Sequence, residues 1–322
     1  MAKVNSAVGI EYDSHEIRAV ELTKNADGTY GVSAFGSKQY SDNMFSNGMI
    51  GEPMLFASVL NELINEGKFK PNLPTVIGVN NENVIMRYAT FPKVPDDKLR
   101  GVITMQAQDF IPVPINELGL DFVVVDEDKD DDDQSVLNVL LVGARSIMLE
   151  NIVTNFAPSK FEVVDIDSSF LAWCRAVIEK SNGETVGFLK LTDDVLNFVA
   201  IVDNEIKMVR SISIPDRASL EVKRAFNAPH ELTDLQVQTI ADLLYSELSS
   251  SMNYFQMQND KYIESVIFSA SNDIENELLS RLSAKSYVPV SIPQFYGEYM
   301  TSTFNPARYA GCISLAKAAL EG

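Results

Sequence analysis

Several residue types that often carry chemistry are scarce in this chain of 322 residues, which has two histidines, two cysteines and one tryptophan. Cys174 and Cys312 lie far apart, each in an apolar helical pattern, so we expect buried thiols rather than a disulfide or a metal site. His15 and His230 are too few to form a histidine metal cluster. The sequence therefore points away from thiol and metal chemistry.

Long apolar runs are also missing. No stretch approaches the roughly 18 apolar residues that a membrane-spanning helix needs. The first residues lead into a strand pattern without an apolar signal region. Hydrophobic residues make up 46% of the chain, as is typical of a globular protein with a substantial core. We expect a cytoplasmic protein.

Positive charge is outweighed by negative charge. The 45 acidic and 26 basic residues give a formal net charge of −19, which disfavours nucleic acid and anionic lipid surfaces as direct partners. The run from Asp126 to Asp133 contains one lysine among acidic residues. It lies between two strand patterns, so we predict a solvated hairpin loop. A calcium site would need a glycine turn among the carboxylates, and this run has none.

The segment Arg87–Val125 gives the clearest structural signal. Pro92 and Pro95 end a strand pattern, because proline lacks the N–H that a sheet ladder needs. Asp96 and Asp97 then suit the first turn of a helix, where the helix dipole favours negative charge. An ordinary helix between two strands of any α/β domain would give the same pattern. The predicted buried face of the helix repeats near the 3.6-residue period: Leu99, Val102, Ile103, Ala107 and Phe110.

The order and spacing of residues in Phe91–Val125 resemble the inserted subdomain of the type IV pilus assembly protein PilM family, which is related to the cell-division protein FtsA. Val139–Phe156 resembles the family's strand that leads through an Ala-Arg pair into a helix. Phe161–Val177 resembles its return strand and helix. The resemblance implies an α/β chain with an actin-like (duplicated ribonuclease-H-like) fold and an inserted strand-helix-strand-strand-helix subdomain.

The residue patterns of the two halves also repeat in order. Three strand patterns, a helix at Pro53–Glu66 and a strand at Thr75–Val79 recur as three strand patterns, a helix at about Thr233–Gln256 and a strand at Ser265–Ser269. A duplicated actin-like core needs two such units. Asp203-Asn204 predicts the turn of a hairpin in the second half.

We therefore divide the chain into three parts. Residues 1–83 and 161–182 are predicted to form the first actin-like lobe, and residues 84–160 the inserted subdomain. Residues 183–322 are predicted to form the second lobe, with a helical cap at about 216–260. No low-complexity linker separates the halves, so we expect them to pack around a cleft.

In the family that the chain resembles, this cleft holds ATP between two phosphate loops and a glycine-rich adenosine loop. In the first loop, Glu11 keeps an acidic residue and Ser14 a hydroxyl, whereas Asp13 takes a glycine position and Glu16 adds an acid. A carboxylate about 4 Å from a phosphate charge costs on the order of 4 kcal/mol at an effective dielectric constant of about 20. A bound magnesium ion would offset part of this cost.

The other two loops also lack the family's glycines. In the second, Thr192 and Asp193 are the remaining residues that could take a phosphate or metal role, and in the third, residues 269–272 read Ser-Ala-Ser-Asn. We predict no catalytic residue, no metal ligand and no appreciable ATPase activity. We expect no cofactor, although the resemblance leaves ATP with magnesium open. The predicted degenerate ATP-cleft positions are Glu11, Ser14, Thr192 and Asp193.

Three functions follow from the resemblance. The first is a cytoplasmic scaffold of a type IV pilus machine that binds other pilus assembly proteins and is peripheral to the inner membrane. In the family, such a scaffold binds the N-terminal tail of the membrane protein PilN between the first lobe and the inserted subdomain. The second is an actin-like nucleotide switch or ATPase, which would need the altered loops.

The third function is that of a type II secretion component that resembles the cytoplasmic part of GspL. GspL carries a transmembrane segment after its PilM-like part, and this sequence shows none. We favour the scaffold, without direct membrane insertion. The net charge of −19 favours a partner tail that contains Arg or Lys, chiefly through a faster association rate.

Overall fold

The computed structural model describes residues 5–40, 44–129, 133–178, 185–192, 195–213, 232–270, 274–293, 299 and 303–321. Its strands, in chain order, are β1 (Ser6–Tyr12), β2 (Glu16–Lys24), β3 (Tyr30–Gln39), β4 (Phe45–Ser46), β5 (Met49–Ile50), β6 (Pro74–Val79), β7 (Val84–Pro92), β8 (Leu118–Lys129), β9 (Ser135–Arg145), β10 (Glu162–Ser168), β11 (Val186–Leu191), β12 (Val195–Val202), β13 (Glu205–Ser213), β14 (Ser265–Ala270) and β15 (Val290–Ser291).

The helices run between and after these strands. Two short 3₁₀ turns at Ala107–Asp109 and Ile115–Glu117 follow the second helix. None of the helices in the described ranges is both long and apolar enough to cross a membrane. The α-helices are α1 (Pro53–Gly67), α2 (Asp96–Gln106), α3 (Ser146–Phe156), α4 (Ser169–Ile178), α5 (Asp234–Asn259), α6 (Glu275–Lys285) and α7 (Ala310–Glu321).

Two five-stranded sheets repeat one topology. In the first sheet, with strand order β10-β6-β1-β2-β3, β1 pairs antiparallel with β2 and parallel with β6. In the second, with order β13-β12-β11-β14-β15, β11 pairs antiparallel with β12 and parallel with β14. The duplication expected from the residue patterns is therefore confirmed.

The inserted segment forms a sheet of its own, with strand order β7-β9-β8 and antiparallel pairing throughout. Helix α2 and the turn after it cover one face of this sheet, where Phe91, Ile103, Val139 and Leu141 are buried in one cluster. The acidic run differs from the prediction. Asp126 and the three residues after it continue β8 as a strand paired with β9, and residues 130–132 of the run lie outside the described residues.

The C-terminal helix returns to the first lobe. Helix α7 packs against β1, β2 and β6, although the predicted boundary puts its residues in the second lobe. Two glycines make this close packing possible. A Cβ atom on Gly9 would lie 2.0 Å from the carbonyl oxygen of Cys312, and one on Gly311 would lie 2.3 Å from Glu11 Oε1. The last helix of the predicted second lobe therefore packs on the first lobe.

The second lobe is built on α5, which begins with a capping box at Thr233 and Gln236. One face of α5 packs on the apolar side of the second sheet, where Leu244, Leu248 and Phe255 are buried. This helix confirms the one predicted at about Thr233–Gln256. Part of the predicted helical cap lies outside the described residues, and so does His230.

Candidate functional site

The hairpin between β1 and β2 lies where the family's first phosphate loop was expected. One carboxylate oxygen of Asp13, Oδ1, accepts the backbone N–H groups of Glu16 at 2.9 Å and of His15 at 3.2 Å. The Asp13 side chain is buried. This residue, which takes a glycine position of the family, therefore closes the turn by accepting two backbone hydrogen bonds. Ser14, at the tip, is partly exposed.

Basic side chains surround the buried carboxylates of this hairpin. The Arg18 guanidinium lies 3.3 Å from Glu16 Oε2 and 3.8 Å from Asp13 Oδ2. Arg308 pairs with the other oxygen of Glu16. Burial alone would lower the pKa of Arg18, but the neighbouring carboxylates of Glu16, Glu11 and Asp13 raise it above the ordinary value. Arg18 is therefore charged, and it neutralises part of the acidic cluster.

Two buried contacts join the lobes across the cleft. Lys190 Nζ, from β11 of the second lobe, lies 3.4 Å from Glu11 Oε1 of β1. The side-chain amide of Asn197 donates a hydrogen bond of 3.0 Å to Asn80 Oδ1. All four side chains are buried. The floor of the cleft is therefore formed by direct polar contacts between the lobes. We name Glu11, Asp13, Glu16, Arg18, Lys190 and Arg308 the cleft ion network.

The positions expected for the other two loops also make local hydrogen bonds. The Thr192 hydroxyl donates to the carbonyl of Val195 at 2.9 Å and accepts the Val195 N–H at 3.1 Å. Glu275 accepts the N–H of Ala270 at 2.7 Å and the hydroxyl of Ser269 at 3.1 Å. In the described parts of these two loops, the Thr192 hydroxyl and the Glu275 carboxylate thus stabilise the local backbone.

Of the four predicted cleft residues, Glu11 contacts Lys190 on the cleft floor, and Ser14 lies at the tip of the first hairpin. Thr192 is bonded within its own turn, and Asp193 lies outside the described residues. The role predicted for these residues stays a prediction. The sequence analysis missed the counter-charges. Lys190 is the one basic residue in an otherwise apolar strand, and that isolated charge was the available signal.

A second feature lies where the inserted sheet meets the first lobe. Helix α3 contacts β8, and a Cβ atom on Gly119 would lie 2.6 Å from Leu149 Cδ1. Because side chains alternate along a strand, Val123 shares the face of Gly119. Val153 follows Leu149 by one turn of α3 and lies on the same side of that helix. We name Gly119, Val123, Leu149 and Val153 the α3–β8 surface.

The α3–β8 surface exposes apolar side chains beside a charged pair. Val123 is 60% exposed and Val153 is 53% exposed. Asp121 shares the face of Val123, is also exposed, and pairs with Arg100 at 3.0 Å. On the opposite face of β8, Phe122 packs toward α2. Single exposed apolar residues are common, but exposed valines on two elements that contact each other mark a surface that can bind a partner with apolar and charged residues.

Two duplicated lobes around a cleft, with a separate sheet inserted in the first, define an actin-like protein. Residues 9–211 match the family model "Type IV pilus assembly protein PilM". This match spans more than half of the chain, so the chain belongs to that family. No curated protein matches it.

A solved structure shows the same fold, and two others show weaker similarity. The chain is similar to a "PilM-PilN type IV pilus biogenesis complex", with 18% identity and a TM-score of 0.81 over 99% of this chain and 100% of that one. A Bacteroides thetaiotaomicron protein with an actin-like ATPase fold has 8% identity and a TM-score of 0.49 over 96% and 95% of the two chains. The ethanolamine utilization protein EutJ of Carboxydothermus hydrogenoformans has 10% identity and a TM-score of 0.49 over 98% and 90%.

Proposed function

We propose that this chain is a cytoplasmic scaffold of a type IV pilus assembly machine that binds the N-terminal tail of a PilN-like inner-membrane protein. The observation that carries the proposal is the full-length similarity to the PilM chain of a PilM–PilN complex. Family membership supports the assignment to pilus assembly. The tail would hold the scaffold at the membrane, where it would contact other pilus assembly proteins.

The α3–β8 surface supports the proposed position of the tail. Helix α3, which the predicted boundary puts in the inserted subdomain, packs on the first lobe, where Ile152 and Phe156 are buried. The surface therefore lies where the first lobe meets the inserted sheet, and it exposes Val123 and Val153. Short peptides bind well to surfaces that offer apolar contacts beside free backbone groups. Acidic residues follow Val125 on β8, so a tail that combines apolar residues with Lys or Arg would fit this surface.

Two substitutions that each introduce a charge on α3 test this position. Val153→Asp should raise the Kd for a synthetic peptide of the PilN-like N-terminus by about tenfold or more, because it puts a charge in an apolar contact. Ile147→Asp is the matched control. Ile147 is also exposed, at 63%, but it precedes Leu149 by about 200° of helical rotation and so lies on another side of α3.

Fluorescence anisotropy with a labelled peptide at low salt gives both Kd values. Two results would contradict the proposed position: equal losses in the two variants, or a loss only in the control. No binding of the unchanged chain at about 50 μM peptide, equivalent to a binding free energy weaker than about −6 kcal/mol, would remove the scaffold proposal itself.

We further propose that the scaffold works without ATP turnover. Three observations support this. The carboxylates of Glu11, Asp13 and Glu16 lie where phosphates would have to approach, basic partners already neutralise them, and the Thr192 hydroxyl is bonded within its own turn. The residues present therefore do not fit a nucleoside triphosphate. The cleft ion network would have to break before phosphate could enter.

Calorimetric titration with Mg-ATP tests this part of the proposal. We expect no saturable heat up to about 1 mM nucleotide, equivalent to a binding free energy weaker than about −4 kcal/mol. We also expect no phosphate release above the background rate. Micromolar affinity would overturn the proposal and favour an actin-like nucleotide switch.

A further inference from the structure

We propose that the partner tail binds as an added strand along the free edge of β8 and so extends the inserted sheet from three strands to four. This inference rests on the proposed function, to which it adds the mode of binding. Main-chain hydrogen bonds would supply much of the affinity, and side chains on one face of the tail would contact the α3–β8 surface.

The first support is the position of β8. It is 12 residues long and lies at the edge of its sheet, where β9 is its one partner strand in the part of the chain that the structure describes. Val123 and Val124 are neighbours, so their side chains lie on opposite faces, and they are 60% and 40% exposed. Solvent therefore reaches both faces of the sheet beside this edge. An open edge presents unpaired N–H and C=O groups to solvent.

The second support is that only half of this edge carries the usual protection against strand pairing. Edge strands are commonly protected by charges or bulges. In β8, a register shift falls between Val124 and Asp126, and Asp126, Glu127 and Asp128 follow it. Between Gly119 and Val124, Asp121 is the one charged residue, and it pairs at the surface with the exposed Arg100. This stretch has about three outward-pointing residues, because alternate residues point outward, and each of them offers one N–H and one C=O group.

The negative charge beside β8 indicates which residues the tail contains. The residues from Asp126 to Asp133 comprise seven acids and one lysine, and they follow shortly after residues 119–124. A tail paired with residues 119–124 would have one end beside the first of these acids, Asp126, Glu127 and Asp128. That end of the tail carries Lys or Arg, and the paired part carries apolar residues at every second position, which contact Val123 and Val153.

Alternate N-methylation of the tail peptide tests the added strand. Two peptides are compared with the unmodified one: the first is N-methylated at two odd positions of the paired part, and the second at two even positions. In an added strand, only every second N–H faces the neighbouring strand. One peptide should therefore lose about tenfold or more in affinity through two missing hydrogen bonds. The other should change by less than about threefold.

Proline scanning of β8 gives an independent readout. Of Val123→Pro and Val124→Pro, one removes an N–H that bonds to β9 and lowers Tm, whereas the other removes an outward N–H and leaves Tm nearly unchanged. The second variant should lose peptide affinity by about tenfold. Val164→Pro is the matched control, because Val164 is an exposed valine on β10, the edge strand of the first sheet. It should leave peptide affinity unchanged.

The outcomes separate the two proposals. If the unmodified peptide binds but the two methylated peptides behave alike, the added strand is wrong and the scaffold function stands. The same holds if the proline variant with an unchanged Tm binds normally. If the unmodified peptide does not bind, both proposals fail.

Discussion

The cleft between the lobes and the α3–β8 surface differ in which side chains are buried and which are exposed. In the cleft, buried carboxylates pair with basic groups: Glu11 with Lys190, and Glu16 with Arg18 and the exposed Arg308. On the α3–β8 surface, apolar groups such as Val123 and Val153 are exposed. The charged groups named for the cleft thus have ionic partners, although several buried polar atoms there, Arg18 Nε among them, make no hydrogen bond within the described residues. When a partner covers exposed apolar area, by contrast, the free energy falls.

This difference matters for a fold that is known for nucleotide binding. Actin-like lobes can bind a nucleotide when glycine loops leave backbone N–H groups free for phosphate. Here the Asp13 carboxylate takes two such N–H groups, and the Glu275 carboxylate takes the N–H of Ala270. The chain's own carboxylates thus accept these backbone N–H groups.

The largest expected effect on stability comes from breaking the cleft ion network. Arg18→Met should lower the free energy of unfolding by about 3–5 kcal/mol, because it leaves the Glu16 and Asp13 carboxylates buried without that counter-charge. Urea denaturation measures the change. The control is Lys93→Met, which removes an exposed pair with Glu127 and should cost less than about 1 kcal/mol. If Arg18→Met cost no more than its control, the cleft would be hydrated and open to ligands.

A smaller test concerns how closely α7 fills the space beside the cleft. Gly9→Ala should lower the free energy of unfolding by about 1–3 kcal/mol, because the new methyl group would overlap the Cys312 carbonyl and force α7 away. Gly101→Ala is the same change in α2 with no atom within 4 Å of the new Cβ. It should raise stability by about 0.5–1 kcal/mol. A Gly9→Ala variant as stable as the wild type would contradict this close packing.

Local features of the fold could be predicted because their signals lie within a few residues. The helix predicted at Pro53–Glu66 is observed at Pro53–Gly67, since apolar periodicity and an N-terminal proline define it. Asp203 and Asn204 both adopt positive φ angles, 53° and 67°, as the predicted hairpin turn requires.

Features that depend on distant residues could not be predicted in this way. Glu16 and Arg308 are 292 positions apart, and no local pattern indicates that they pair. The acidic run was predicted as a loop from its charge, yet pairing with β9 holds Asp126 in a strand.

The smallest effect expected in the cleft concerns Glu275. Burial raises the pKa of its carboxyl above 4.5, and the bonds from Ala270 and Ser269 offset this shift only in part. Just above pH 4.5 the folded state therefore binds more protons than the unfolded state, so this group makes stability fall as pH rises through that window. Glu275→Gln keeps an oxygen that can accept the Ala270 N–H but cannot ionise.

Urea denaturation of wild type and variant at a series of pH values measures this contribution. The stability of Glu275→Gln relative to wild type should increase from about pH 4.5 upward and level off once the wild-type carboxyl is ionised in both states. Other carboxylates titrate in the same window, but they contribute equally to both proteins and cancel in the difference. A difference that does not change with pH would mean that water reaches this carboxylate freely. The third loop would then have room for a polar ligand. Its polar groups would not all be taken up by contacts within the chain, contrary to the comparison with the α3–β8 surface.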